Sequence, residues 1–217
     1  ADKVWGWRVQ GQVLTDYERY IASTDVGVSV KYEFPEKWGD LHFSFVNGTG
    51  FNAGPENDNY KDFHLRTTIR PLSDKNFFVT ALGVIGFRGS KTNDHERFVG
   101  LIGYKDEKHG TIAGEVLYAS DPAGFMAGVH PSLAGLARNA KAFGSSLFGE
   151  LKFFWWEEPW NRFSLIGRLD YLDPDMSTAN NFHYHGIEGI GYTLNKHFKF
   201  IVDHDWSSYK AGAGQRG

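Results

Sequence analysis

Asn161-Arg-Phe-Ser-Leu-Ile-Gly-Arg-Leu-Asp-Tyr-Leu-Asp-Pro-Asp175 is the stretch that decides the fold class. Phe163, Leu165, Gly167, Leu169 and Tyr171 fall on one parity, and Ser164, Arg168 and Asp170 on the other. A two-residue period with one apolar and one polar face is the signature of a β-strand. Asp173-Pro174-Asp175 ends the run, because proline removes an amide donor from the ladder. A polar loop follows, then a second run over 184–194, the tight turn Asn195-Lys196-His197, and a third run over 198–209. In that third run Phe198, Phe200 and Val202 oppose Lys199, Asp203 and Asp205. The three runs form an antiparallel meander.

Working outward, the same pattern recurs along the chain. Trp5, Trp7, Val9, Gly11 and Val13 alternate with Arg8, Gln10 and Gln12, which predicts a first strand. Val26, Val28, Val30, Tyr32 and Phe34 then oppose Asp25, Ser29, Lys31 and Glu33. Leu41, Phe43 and Phe45 oppose His42 and Ser44, and Phe63, Leu65 and Ile69 oppose Asp62, His64, Arg66 and Arg70. Further strands are expected near 76–88, 96–105, 110–119 and from Phe143 to the aromatic cluster Phe153-Phe-Trp-Trp156. The expected total is about eleven strands, most near the ~9–11 residues a tilted strand needs to cross a bilayer.

The connections sort by length. Those at 35–39, 71–76, 106–109, 157–161 and 195–197 are short, and those at 15–24, 48–59, 89–95, 120–142 and 173–182 are long. Outer-membrane barrels keep short turns on the periplasmic side and long loops outside. Aromatics gather at strand ends (Phe34, Trp38, Trp155, Trp156, Trp160, Trp206 and Tyr209), where rings with one apolar and one wet end suit a membrane interface. The fold class predicted is all-β, an antiparallel up-and-down transmembrane β-barrel forming a single domain over residues 1–217. A soluble β-sandwich or barrel is the competing architecture.

Composition narrows the function classes. The 217 residues carry 23 basic and 26 acidic side chains, with no basic block to favour nucleic acid. Cysteine is absent, which excludes disulfides and thiolate metal sites. No apolar run approaches ~20 residues, so no transmembrane helix is expected. A mean hydropathy of -0.41 does not argue against a barrel, whose apolar residues occupy every second position. Ala1-Asp2-Lys3 reads as a mature N-terminus after cleavage or as an arbitrary start.

Three segments resemble outer-membrane porins of the phosphate-selective porin O and P type. They are Asp25-Val-Gly-Val-Ser-Val-Lys-Tyr32 with Phe45-Val-Asn-Gly-Thr-Gly-Phe51 and Asn59-Tyr-Lys-Asp-Phe-His-Leu-Arg-Thr-Thr-Ile-Arg-Pro71, then Phe148-Gly-Glu-Leu-Lys152, then Leu165 to Asp175 continuing to Gly189-Ile-Gly-Tyr-Thr-Leu-Asn-Lys196. The resemblance implies passive diffusion of small hydrophilic solutes or ions across a bacterial outer membrane, often through a trimer. Members are usually longer and commonly end on a strand with a terminal aromatic, whereas this chain ends Lys210-Ala-Gly-Ala-Gly-Gln-Arg-Gly217. Strand parity points the same way, so a fragment of a larger barrel is expected. A membrane-complex partner or sheath role is the alternative reading, and a soluble binding module a third.

In a barrel the polar parity faces the lumen. The predicted pore lining is Arg8, Lys31, His64, Arg66, Arg70, Glu115, Glu150, Lys152, Arg168, Asp170, Lys199 and Asp203. Counting further wall charges, Arg8, Lys31, Arg66, Arg70, Lys152, Arg168 and Lys199 face Asp25, Glu33, Asp62, Glu115, Glu150, Asp170, Asp203 and Asp205. This near-balance does not carry over a phosphate preference, which needs a positive excess along the wall. Arg66 and Arg70 with His64 form either a basic ladder or a salt-bridge network with Asp62 and its neighbours. Loop 121–142 carries a helix start at Pro131-Ser132 and helical spacing through Leu133, Leu136, Ala137 and Ala140, so it is either a constriction bearing Arg138 and Lys141 or an external loop.

Chemistry has little purchase. His183 and His185 share a face, with His204 on the next strand, but no third ligand has metal-site spacing. Ser145-Ser146 lies in no Gly-x-Ser-x-Gly elbow, and Gly48-Thr-Gly50 is followed by no helix. No enzyme and no cofactor is expected.

Overall fold

Each alternating run that the sequence marks from residue 27 onward is a strand in the computed structural model, which describes residues 2–8, 10–22, 24–48, 61–87, 94–195 and 197–210. The strands are β1 (Gly27–Glu33), β2 (Gly39–Val46), β3 (Asp62–Ile69), β4 (Phe77–Gly86), β5 (His95–Asp106), β6 (Gly110–Pro122), β7 (Asn139–Lys152), β8 (Phe163–Asp173), β9 (His183–Thr193) and β10 (Lys199–Tyr209). They form one antiparallel sheet in strict sequence order, every strand pairing with its chain neighbours. Among the described residues β1 pairs only with β2 and β10 only with β9, so the sheet is open rather than closed into a barrel.

The connections 34–38, 70–76, 107–109, 153–162 and 194–198 join strands at one end of the sheet, and those after β4, β6 and β8 join them at the other. The turn expected at 157–161 extends over 153–162, longer than 174–182, so the expected sorting by length holds only in part. The expected loops at 48–59 and 89–95, the glycine loop at Gly48-Thr-Gly50, Lys196 of the tight turn and the chain end after Lys210 lie wholly or partly outside the described residues.

The expected first strand is a correction. The described residues of 2–24 contain the short helices α1 (Asp2–Trp5) and α2 (Leu14–Tyr17), which lie along the inner face of the sheet. The reason is local. Gly6 takes φ +72, the Gln10 amide donates back to the Trp7 carbonyl at 3.0 Å, and the Trp5 indole donates to the Gly11 carbonyl at 2.9 Å. The segment therefore folds back on itself instead of offering its amides to a neighbour. At Gly11 a Cβ would sit 2.8 Å from Ile187 Cδ1, so glycine permits the close approach. The described residues form ten strands.

Two apolar clusters fasten this segment. Trp5, Trp7 and Val13 pack with Phe78, Leu101, Ala113, Phe148, Ile166 and Ile187. Leu14 and Tyr20 pack with Val99, Leu117, Ala142 and Leu172, and with Ala123, Met126 and Leu133 from the connection after β6. Trp5, Leu14 and Tyr20 are at most 2% exposed, so their burial is a large hydrophobic contribution, each side chain stabilising by ~1.5–3 kcal/mol.

Candidate functional site: the two faces of the sheet

Register sorts the inner wall into rows. Val99, Leu117, Gly144, Leu172 and His183 lie side by side across β5–β9. The next row toward the short-turn end is Leu101, Glu115, Ser146, Asp170 and His185, and the next is Gly103, Ala113, Phe148, Arg168 and Ile187. Polar groups on this wall sit under residues 10–20, where a charge is costly alone, and several of them are partnered there. Arg168 donates through Nε to Asp170 at 3.0 Å and through a second nitrogen to the Gln12 carbonyl. His185 lies between Asp170 (3.3 Å) and Asp205 (2.9 Å), with the Tyr17 ring stacked on it at 4.6 Å. Nearer the long-loop end, Glu18 meets His183 at 3.1 Å, and Arg97 joins Asp121 to the Tyr20 carbonyl.

The other half of the inner face is open. Over β1–β5 the wall and the flank of the N-terminal segment enclose a trough of about 940 Å³. Lys31, His42, Arg66 and Arg70 line it, and the basic pair is anchored on a buried carboxylate. Arg66 donates to Asp40 Oδ1 at 2.8 Å and Arg70 to Asp40 Oδ2 at 3.3 Å. Of the two readings for this group, the geometry is a salt-bridge network, built on Asp40 rather than Asp62. Asp62 pairs with His95 at 3.0 Å instead.

The remaining predicted lining residues fall as follows. Arg8 rides on the N-terminal segment and pairs with Asp16 at 2.9 Å. Lys31 pairs with Glu33 along β1, and His64 is half-buried on β3. Glu115 is buried in the filled half. Glu150 meets Lys199 at 3.4 Å, Lys152 donates to the Glu107 carbonyl at 2.7 Å, and Lys199 stands over the Trp7 ring at 3.7 Å. Asp203 faces inward from β10, exposed. His204 points to the opposite face from His183 and His185, as its pairing with Glu188 requires. The sequence reading missed Glu18, Arg97, Asp121 and His95; the period-two parity of β5 and β6 was the available signal for the last three.

The connection 123–138 does turn inward, but with its apolar side. Met126 and Leu133 join the core, through α3 (Ala123–Met126) and a single 3-10 turn at Pro131–Leu133 rather than a longer helix. Arg138 binds Asp175 of the next long connection through two nitrogens, at 3.0 and 2.6 Å, and Lys141 is exposed on the outer parity of β7. Burial acts to raise the Asp175 pKa, but the Arg138 guanidinium, the Thr178 hydroxyl and the amides of Lys141 and Ser177 outweigh it and hold the carboxyl at about 2. A depressed carboxyl stabilises above its unfolded pKa near ~3.9 and stops doing so as pH falls through the folded value. Between pH ~4 and about 2 the two connections are therefore expected to come apart. Asp175→Asn should remove that pH step and cost ~1.5–3 kcal/mol at neutral pH. Acid titration of tryptophan fluorescence and urea unfolding would check both.

The outer face is the reverse of the inner. Val28, Ile112, Leu147 and Val202 are 71%, 60%, 60% and 78% exposed. Val30, Phe43, Leu65, Val116, Leu165 and Ile190 continue the same band across the sheet. Aromatic contacts bound it at both ends. At the short-turn end they include Phe34–Trp38 (4.4 Å), Trp160–Phe163 (5.7 Å) and Phe163–Tyr192 (4.8 Å). At the long-loop end they include Phe45–Phe63 (4.9 Å), Phe143–Tyr171 (6.5 Å) and Tyr171–Tyr184 (5.4 Å). A face this apolar and this extensive exceeds what a water-facing monomer normally shows.

No family model, curated protein or solved structure matches the chain.

Proposed function

We propose that the chain forms the wall of a bacterial outer-membrane β-barrel that passes small hydrophilic solutes or ions by diffusion. The observation that carries this reading is the division between the two faces of one sheet. The outer face is apolar between two aromatic rims, whereas the inner face, packed with apolar side chains over β5–β9, also holds the charged groups and over β1–β5 lines a trough of about 940 Å³. That is the transverse order of a transmembrane barrel, with lipid outside and water within. β4–β10 have 10–14 residues each, enough to cross the hydrocarbon. In the bilayer both sheet edges must be paired, because unpaired backbone groups are not tolerated in lipid. β1 runs toward the short-turn end and β10 away from it, so each presents the sense an antiparallel closing partner needs.

Two measurements test the reading. The purified chain should require detergent to stay monodisperse, and it should give stepwise conductance in a planar bilayer. Monodispersity without detergent would return the chain to the soluble β-sheet class. Insertion without conductance would leave the structural-barrel alternative. Because residues 2–20 fill the β5–β9 half of the interior, their removal is expected to raise the single-channel conductance at least twofold; an unchanged value would mean that the segment lies clear of the ion path.

A further inference from the structure

The apolar outer face is broken at one place in its middle. Among the described residues, the other charged side chains of outer parity (Glu96, Asp106, Lys141 and Asp173) stand within three residues of a strand end. Glu188 and His204 stand at the midpoints of β9 and β10 and are paired in register. His204 Nδ1 meets Glu188 Oε1 at 2.9 Å, the Trp206 indole donates to Glu188 Oε2 at 2.9 Å, and the side chains of Glu188 and His204 are 58% and 70% exposed. Trp206 lies across Gly186, where an added Cβ would come within 2.3 Å of the ring, so the patch has low relief.

With the outer face taken, as above, to meet lipid, a half-exposed carboxylate–imidazole pair at mid-depth is in the wrong solvent. Ionisable groups in a membrane face protein or water rather than acyl chains. We infer that the outer surface of the β9–β10 hairpin is a contact between copies of this chain within the membrane. The register supplies the argument for a second copy. Copies inserted in one direction are related by an axis along the bilayer normal, which preserves depth. Glu188 and His204 are cross-strand partners, so with strands tilted ~40° and ~4.8 Å apart their depths differ by only about 3 Å, and His204 of one copy comes within side-chain reach of the level of Glu188 of the next. The contact is self-complementary in hydrogen bonding, since each copy brings a carboxylate and an imidazole, and the His204 Nε2 has no hydrogen-bond partner among the described residues. Antiparallel edge-to-edge pairing of β10 with a second β10 is excluded, because it would turn one copy upside down, and a parallel edge pairing, made by backbone alone, would survive removal of both side chains.

The chain has no cysteine, so single cysteines report proximity cleanly. In detergent and in lipid nanodiscs the wild type is expected at a multiple of 24.5 kDa. Val202→Cys and Ser208→Cys, on the outer parity of β10, should cross-link between copies at least tenfold more than Ala81→Cys at mid-depth on β4. Glu188→Leu with His204→Leu should suit lipid, keep the β-sheet circular dichroism and the detergent requirement, and shift the mass to one chain. A monomeric wild type overturns the inference, as does an oligomer that survives the double substitution or cross-links as well through Ala81→Cys. A chain that is monodisperse without detergent instead removes the membrane reading on which the contact stands. The cysteine comparison holds even if the double variant fails to fold.

Discussion

Asp170→Ala is expected to cost about 3–5 kcal/mol of folding stability, because it strands the Arg168 guanidinium inside the protein. Arg168 is 4% exposed and Asp170 is 2%, and the guanidinium also holds the Gln12 carbonyl of the N-terminal segment. Losing the carboxylate removes the charge partner of Arg168 and one partner of His185 in a single step. The effect should spread to the segment it tethers: Tyr17 and Trp5 flank the same cluster. Urea unfolding followed by tryptophan fluorescence would measure the loss. Arg168→Met with Asp170→Leu should recover more than half of it, since an apolar pair of similar volume avoids the stranded charge. Equal losses in the single and double variants would mean that packing, not charge, holds this part of the wall.

Leu147→Arg separates the two solvents the outer face could meet. Leu147 is 60% exposed on β7, away from both aromatic rims. In water such a surface substitution changes stability by no more than ~0.5 kcal/mol. Facing lipid near the midplane, arginine costs ~2–4 kcal/mol. The expected result is the larger figure, measured as a shift in the unfolding midpoint in lipid vesicles. The same substitution at Lys141, already basic and near the long-loop end of the same strand, is expected to be nearly silent. A small effect at Leu147 would turn the outer face from a lipid surface into a water-exposed or protein-covered one.

Much of the wall was legible because strand alternation is a local property. Phe163, Leu165 and Leu169 on one side and Ser164, Arg168 and Asp170 on the other can be assigned opposite faces from spacing alone. The loop lengths were less regular than expected, because β7 stops at Lys152 and the short turn expected at 157–161 runs 153–162, longer than 174–182 at the other end. The site was less legible. Arg66 and Arg70 share Asp40 because β2 and β3 pair with Asp40 opposite Thr68, and nothing within either strand specifies that offset. Trp5, Trp7 and Val13 have the spacing of a strand, and only the demand of Ala113, Phe148 and Ile187 for a cover assigns them to the interior. The sequence by itself therefore determined the all-β class, the faces of the strands and the order of the meander from residue 27 onward. Tertiary structure decided which charges meet, which half of the inner face is filled, and that residues 161–209 end in a hairpin with a carboxylate–imidazole pair on its outer side. Those outcomes depend on register and on contacts between residues far apart in sequence, such as Gln12 with Arg168 and Glu18 with His183, which no local period encodes.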